Sequence, residues 1–147
     1  MAVSEGFSGF GSLFKVGNAA SPEVFTTVAE LFSIQPGALS TNVIDLTHHE
    51  SPDAHREKLP GLKDTGPFTI QGNYVPDNTT QMNVGTGLLK LWKDRTKFNF
   101  KIVLSDALAN EWTARGFISN FQLGEIGLDE KVTFAAEITP TAQPVLP

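Results

Sequence analysis

The sequence has no cysteine in 147 residues. That excludes a disulfide framework, a catalytic thiol and any thiolate metal site, and it leaves the redox compartment open. No apolar run approaches the length of a bilayer span, so no membrane helix is expected. The N-terminus has neither a basic nor an apolar leader segment, so no signal peptide is expected either. A basic excess is also missing: eleven Lys plus Arg against sixteen Asp plus Glu give a net charge of −5. Duplex affinity comes largely from neutralised phosphates, so a dedicated nucleic-acid-binding domain is not expected. Tyrosine occurs once, while eleven Phe and thirteen Gly suggest β-structure with bends and bulges. The length is that of one domain with a sizeable core, and residues 1–147 are read as a single domain.

Period-2 alternation marks the clearest strands. Phe68, Ile70 and Tyr74 alternate with polar neighbours, as do Phe98, Phe100, Ile102 and Leu104, and most cleanly Val132, Phe134, Ala136 and Ile138. Residues 13–17 form a short strand, and residues 24–34, rich in β-branched and aromatic residues, stop at Pro36-Gly37. Residues 40–47 are expected to pair with 24–34 as a hairpin. Residues 112–126 form a long strand with Gly116 and Gly124 as bend points. One segment has helical spacing: in residues 78–93, Met82, Leu89 and Trp92 recur on one face, with Asn78 and Gln81 in a capping-box pattern. Gly85 and Gly87 weaken that helix. The expected fold is mainly β, a β-sandwich or partly open barrel with one α-helix, and both Trp92 and Trp112 are expected in the core. Residues 1–12 read as a flexible arm whose Phe7 and Phe10 must bury on their own domain or on a neighbour. Residues 140–147, with three prolines and no charge, read as an extended, poorly ordered tail.

A search for chemistry nominates little. His48, His49 and His55, with Glu50 and Asp53, are a conceivable zinc or nickel set, but the spacing matches no ligand pattern and Pro52 interrupts it. Ser51 with His49 or His55 and Asp53 lacks the Gly-x-Ser-x-Gly elbow of a nucleophile. No phosphate loop or dinucleotide fingerprint occurs. No catalytic residue, cofactor or metal is therefore assigned.

What stands out is residues 48–65, eighteen positions read as a loop without strand or helix periodicity. They carry Pro52, Pro60, Gly61 and charges of both signs at Glu50, Asp53, Arg56, Glu57, Lys58, Lys63 and Asp64. Loops beyond roughly 12–15 residues in a compact domain are usually functional or disordered. Residues 45–53 (Asp-Leu-Thr-His-His-Glu-Ser-Pro-Asp) and 56–64 (Arg-Glu-Lys-Leu-Pro-Gly-Leu-Lys-Asp) resemble the signature loop of siphophage major tail tube proteins. The similarity continues through Gly72-Asn73-Tyr74, the Phe98-to-Ile102 strand, Trp112, the Gly116-to-Phe121 strand and the acidic Asp129-Glu130 turn before Lys131.

That resemblance implies a structural, non-enzymatic subunit of the virion tail, assembled in the host cytoplasm. It implies homo-hexameric rings stacked into a tube, with sheets joined edge to edge around an acidic channel. DNA is then passing cargo, and the partners are other copies, a tape measure protein and tail-end proteins, with no membrane involved. No immunoglobulin-like domain follows, so an undecorated tube is expected. The expected inter-subunit or inter-ring contacts are His48, His49, Glu50, Asp53, Arg56, Glu57, Lys58, Lys63 and Asp64 of the loop, with Phe7 and Phe10 of the arm. The alternatives are a type VI-like secretion tube subunit and a small β-sandwich ligand-binding module.

Overall fold

In the computed structural model, which describes residues 3–147, the alternating segments become strands. They are β1 Leu13–Gly17, β2 Phe25–Thr27, β3 Leu31–Gln35, β4 Leu39–Asp45, β5 Lys58–Thr65, β6 Phe68–Asn73, β7 Phe98–Val103, β8 Glu111–Leu123 and β9 Thr133–Pro140. A short helix, α1 (Leu88–Lys93), precedes β7. Seven strands form one antiparallel sheet in the order β2-β1-β7-β8-β9-β6-β3, and β4 and β5 pair only with each other.

Two distances show how that sheet is shaped. Laid flat, seven strands at about 4.8 Å spacing would hold β2 and β3 roughly 29 Å apart. Residues 28–30 nevertheless connect these two strands directly, and four Cα steps span at most about 14 Å. Likewise Phe68 on β6 and Phe100 on β7 lie three strand positions apart, yet their rings meet edge to face at 5.1 Å. The sheet therefore curls until its two edges approach. Of the two shapes expected from the sequence, this is the partly open barrel.

The inside is apolar because the strands of the seven-stranded sheet turn one side-chain set inward. Phe14, Phe68, Ile70, Phe98, Phe100 and Ile102 meet Phe134, Ala136 and Ile138, all buried. Phe14 stacks on Phe100 with ring centroids 5.5 Å apart. Val28, Met82 and Leu88 close the remaining side.

Gln81 seals the gap between the sheet edges. It is fully buried; its Nε2 donates to the carbonyls of Ala29 (2.8 Å) and Asn73 (2.9 Å), and its Oε1 accepts the Val75 amide (2.9 Å). Thr80 adds a bond from the Ala29 amide to its hydroxyl at 3.1 Å. At Gly72 a Cβ would sit 2.7 Å from the Glu30 carbonyl oxygen, so the close approach of β3 to β6 requires glycine there.

Several expectations are corrected. Residues 24–34 are two strands, broken where the chain crosses the barrel gap and Glu30 takes φ 56°. The partner of β3 is β6, because Leu31 and Ile34 need the core; β4 leaves it and pairs with β5. The helix is confined to Leu88–Lys93. Upstream, Asn78 Oδ1 takes the amide and hydroxyl of Thr80, and Asn83 Oδ1 takes the Gly85 amide, which favours turns over helix. Trp92 is 52% exposed, so it is not a core residue, while Trp112 packs partly buried against the core. In β8 the register shifts between Ile118 and Asn120, so the irregularity falls between the two glycines expected to bend it. The C-terminal tail is pinned: Val145 exchanges backbone hydrogen bonds with Thr113 (2.7 and 3.0 Å), and Pro144 is buried.

Candidate assembly surface

The segment expected to be a loop is largely a β-hairpin. Lys58 to Thr65 form β5, which pairs antiparallel with β4 from Leu39↔Thr65 to Asp45↔Lys58. Its strand character is hidden for two physical reasons. Pro60 removes an amide, which a strand tolerates only at an edge or a bulge, and both strands here are edges. In addition, Thr41 faces Lys63 while Val43 faces Pro60, so Gly61 and Leu62 oppose Asn42 alone. That bulge puts Leu59 and Leu62 out of period-2 phase.

The hairpin springs from a crossing of two glycines. The Gly66 amide donates to the Ala38 carbonyl at 2.8 Å, and a Cβ on Gly37 would run into the Gly66 carbonyl oxygen. Beyond this root every residue of β4 is exposed, and β5 is nearly so. Leu39, Val43, Ile44, Leu59 and Leu62 all face solvent, Leu62 at 86%.

Residues 46–57 form the tip, which organises itself around Glu57. Its Oε2 accepts the Ser51 hydroxyl at 2.7 Å and lies 3.1 Å from His48 Nδ1. Its amide donates to Thr47 Oγ1 (3.0 Å), and its carbonyl accepts the Leu46 amide (2.9 Å). Asp45 Oδ1 accepts the Thr47 amide at 2.8 Å. Hydrogen bonding from the Thr47 hydroxyl and amide, with Lys58 nearby, holds the Asp45 carboxyl below its ordinary value despite slight desolvation.

The sequence-derived residues divide accordingly. His48 and Glu57 meet in the tip, His49, Glu50 and Arg56 are exposed beside them, and Asp53 sits in a 3₁₀ turn (Pro52–Ala54) with φ 54°. Lys58, Lys63 and Asp64 stand on β5, with Lys63 Nζ reaching Gln143 Oε1 at 3.2 Å. Phe7 and Phe10 of the arm are 56% and 93% exposed, so neither folds back into its own core; Met1 and Ala2 of that arm lie outside the described residues. The residues Ser51 approaches are His48 and Glu57, not His49, His55 or Asp53, and its proton points to a carboxylate. Among the described residues, no three His, Asp or Glu side chains converge as a metal site.

Three stretches of sheet edge are also open among the described residues, the first of them β2, which pairs only with β1. β3 pairs only with β6, and β8 pairs with β7 only as far as Gly116, leaving residues 117–123 without a strand on that side. A protruding apolar hairpin, exposed arm aromatics and open edges are liabilities in a lone molecule. They are what a subunit offers its neighbours.

The family model of the lambda phage tail tube protein matches residues 7–147. The chain belongs to that family. It is a structural subunit of a tail tube, not an enzyme, and its place is the virion tail. No helix of the described residues is long and apolar enough to cross a membrane. No curated protein matches the tail tube subunit in sequence. Solved structures share its fold. A chain from the tail of an empty gene transfer agent particle with C6 symmetry matches with TM-score 0.74 and 14% identity, covering 97% of this chain and 99% of that one. A chain from the sheath/tube terminator of an extracellular contractile injection system matches with TM-score 0.73 and 12% identity over 99% of each. The SPP1 tail tube matches with TM-score 0.63 and 7% identity, covering 89% of this chain and 73% of that one.

Proposed function

We propose that six copies of the subunit join edge to edge into a ring, and that rings stack into the tube of a siphophage tail, through which DNA passes. The observation that carries this reading is the β4–β5 hairpin: a two-stranded ribbon with apolar side chains on its surface is marginal in water alone, so it is built to lie on another copy. The open edges of β3 and β8 suit joining within a ring, since a head-to-tail contact that closes by rotation gives a ring and one along the axis gives a filament. The tip residues His48, His49, Glu50, Asp53, Arg56 and Glu57, the β5 charges Lys58, Lys63 and Asp64, and the arm's Phe7 and Phe10 then contact the next subunit or ring. Six copies at −5 each carry about −30, which favours a channel where phosphates slide without sticking. A tape measure protein inside and tail-end proteins complete the set of partners. A second reading, a tube of a contractile or type VI-like secretion apparatus, is supported by the likeness to the contractile injection system chain.

The test shortens the hairpin. Asp45 and Lys58 face each other, so replacing residues 46–57 with Asn-Gly closes the ribbon in register. Negative-stain microscopy is expected to show rings or tubes for the natural chain and none for the shortened one, with equal circular dichroism melts. A shortened chain that still forms normal tubes overturns the role of the tip, and a natural chain that stays monodisperse at high concentration overturns the tube reading.

A further inference from the structure

Apart from the hairpin and the β3 edge, two surface features lack partners and complement each other, the first of them at the start of the open stretch of β8. The first is a cleft of about 580 Å³ between the end of α1, the start of β7 and the middle of β8, floored by Trp92, Phe117 and Ile118. Three cations line it, Lys93, Arg95 and Lys97, and along residues 90–97 Lys90 is a fourth against a single anion, Asp94. All are exposed, and among the described residues none of them makes an ion pair. In a chain of net charge −5 this is a local inversion of sign.

The second is the turn between β8 and β9, residues 124–132. It presents Leu128 at 105% exposure and Ile126 at 72%, flanked by Glu125, Asp129 and Glu130. Its one cation, Lys131, is already engaged, with Nζ 4.5 Å from the centre of the Phe32 ring. The turn therefore offers an apolar knob inside an acidic collar. The cleft offers an aromatic floor inside a basic collar.

The knob stands clear of its own cleft. Leu123, where β8 ends, is five residues beyond Ile118 on a strand rising about 3.4 Å per residue, some 17 Å away. We infer that the β8–β9 turn of one subunit, led by Leu128 and Ile126, docks into the Trp92–Phe117 cleft of a second copy, with Asp129, Glu130 and Glu125 facing Lys93, Arg95 and Lys97. The contact is head-to-tail, because knob and cleft are different surfaces of one molecule, so it propagates around a ring or along a tube and does not stop at a dimer. The apolar pair supplies affinity, and the opposed collars set register and exclude a knob-to-knob encounter. The inference rests on the tail tube reading for its setting but specifies a pairing which that reading leaves open.

Charge exchange tests it. K93E/R95E reverses the cleft collar, and D129K/E130K reverses the knob. All four positions are exposed, so both variants are expected to melt as the natural chain does. Each alone is expected to lose rings and tubes in negative stain. An equimolar mixture of the two is expected to recover them, because every junction in an alternating assembly then pairs opposite signs. Since the chain has no cysteine, a second readout is available without tubes: W92C/L128C under mild oxidation should give a covalent ladder beyond the dimer. The pairing is overturned if either charge variant assembles normally, if the mixture fails to recover assembly, or if the ladder is missing. Binding of duplex DNA that K93E/R95E abolishes would also overturn it, by assigning the basic collar to phosphates. A natural chain that forms no ring, with no ladder, defeats the tail tube reading as well; rings without recovery or ladder defeat this pairing alone.

Discussion

The strand pairs β6–β9 and β4–β5 follow the same backbone rules and reach opposite ends. In β9 every second residue from Phe134 to Ile138 is buried, and its partner β6 buries Phe68, Ile70 and Gly72. In β4 no residue is buried at all. Alternation is a record of one face meeting a core, so β9 carries it and β4 does not. Where both faces meet water in the single copy, the sequence is freed from period 2 and can hold bulges, a proline and charges of both signs. The barrel thus supplies the stability of one subunit, and the hairpin supplies what that subunit does to its neighbours.

The comparison is broken most severely inside the barrel. Phe100 meets Phe14, Phe68 and Phe98 with ring centroids at 5.5, 5.1 and 5.8 Å, joining both sides of the curled sheet. Phe100→Ala is expected to cost about 3–5 kcal/mol, a large part of the roughly 5–15 kcal/mol that holds a domain together. A thermal melt by circular dichroism should fall by about 10 °C or more. A shift of only a degree or two would place the centre of the core elsewhere.

Next comes the seam. Gln81→Leu keeps the volume but strands the Ala29 and Asn73 carbonyls and the Val75 amide, each otherwise paired to that side chain. The expected loss is about 2–4 kcal/mol in urea unfolding. Faster amide exchange at residues 28–30 should accompany it, and a loss of stability with unchanged exchange there would mean that Gln81 does not close the gap.

On the hairpin the same kind of change should hardly register in one copy. Val43→Ser with Leu62→Ser removes exposed apolar groups that touch no core, so unfolding free energy should move by less than about 0.5 kcal/mol. Rings or tubes should nonetheless be lost in negative stain. If the melt dropped as far as for Phe100→Ala, the hairpin would belong to the core after all.

The same division explains what could be read from the sequence. The strands at Phe68, Phe98 and Phe134 were legible because burial on one face writes itself into the residues. The β5 strand was not, since Pro60 and the bulge opposite Asn42 erase the period that would have announced it. The helix read too long because Met82, Leu89 and Trp92 match helical spacing, whereas Asn78 and Asn83 spend their side chains on turns and Trp92 stays half exposed. Among the candidate contacts the region was visible but its internal pairing was not: nothing in the order of residues shows that Ser51 and His48 share the Glu57 carboxylate. That two strands joined by residues 28–30 alone lie at opposite edges of one seven-stranded sheet, on which the barrel depends, is a long-range fact of strand order that no local pattern encodes.

The smallest expected effect lies at the base of the tip. Asp45 is fully exposed, so its bonds to Thr47 shape the turn without adding measurable global stability. Because Thr47 holds the folded carboxyl below its ordinary value of 3.8, the contact is fully present above that value and is lost as pH falls through the folded one. Between pH 5 and 8 the Asp45–Thr47 turn is therefore expected to be constant, and it should loosen only in strong acid. Asp45→Asn keeps an acceptor oxygen but removes the charge, so the Thr47 amide should exchange faster at neutral pH and lose its acid dependence, while the melt of the barrel stays where it was. Equal protection of the Thr47 amide in both proteins at pH 7 would show that the carboxylate does not organise the tip, leaving the Glu57 contacts to hold it alone.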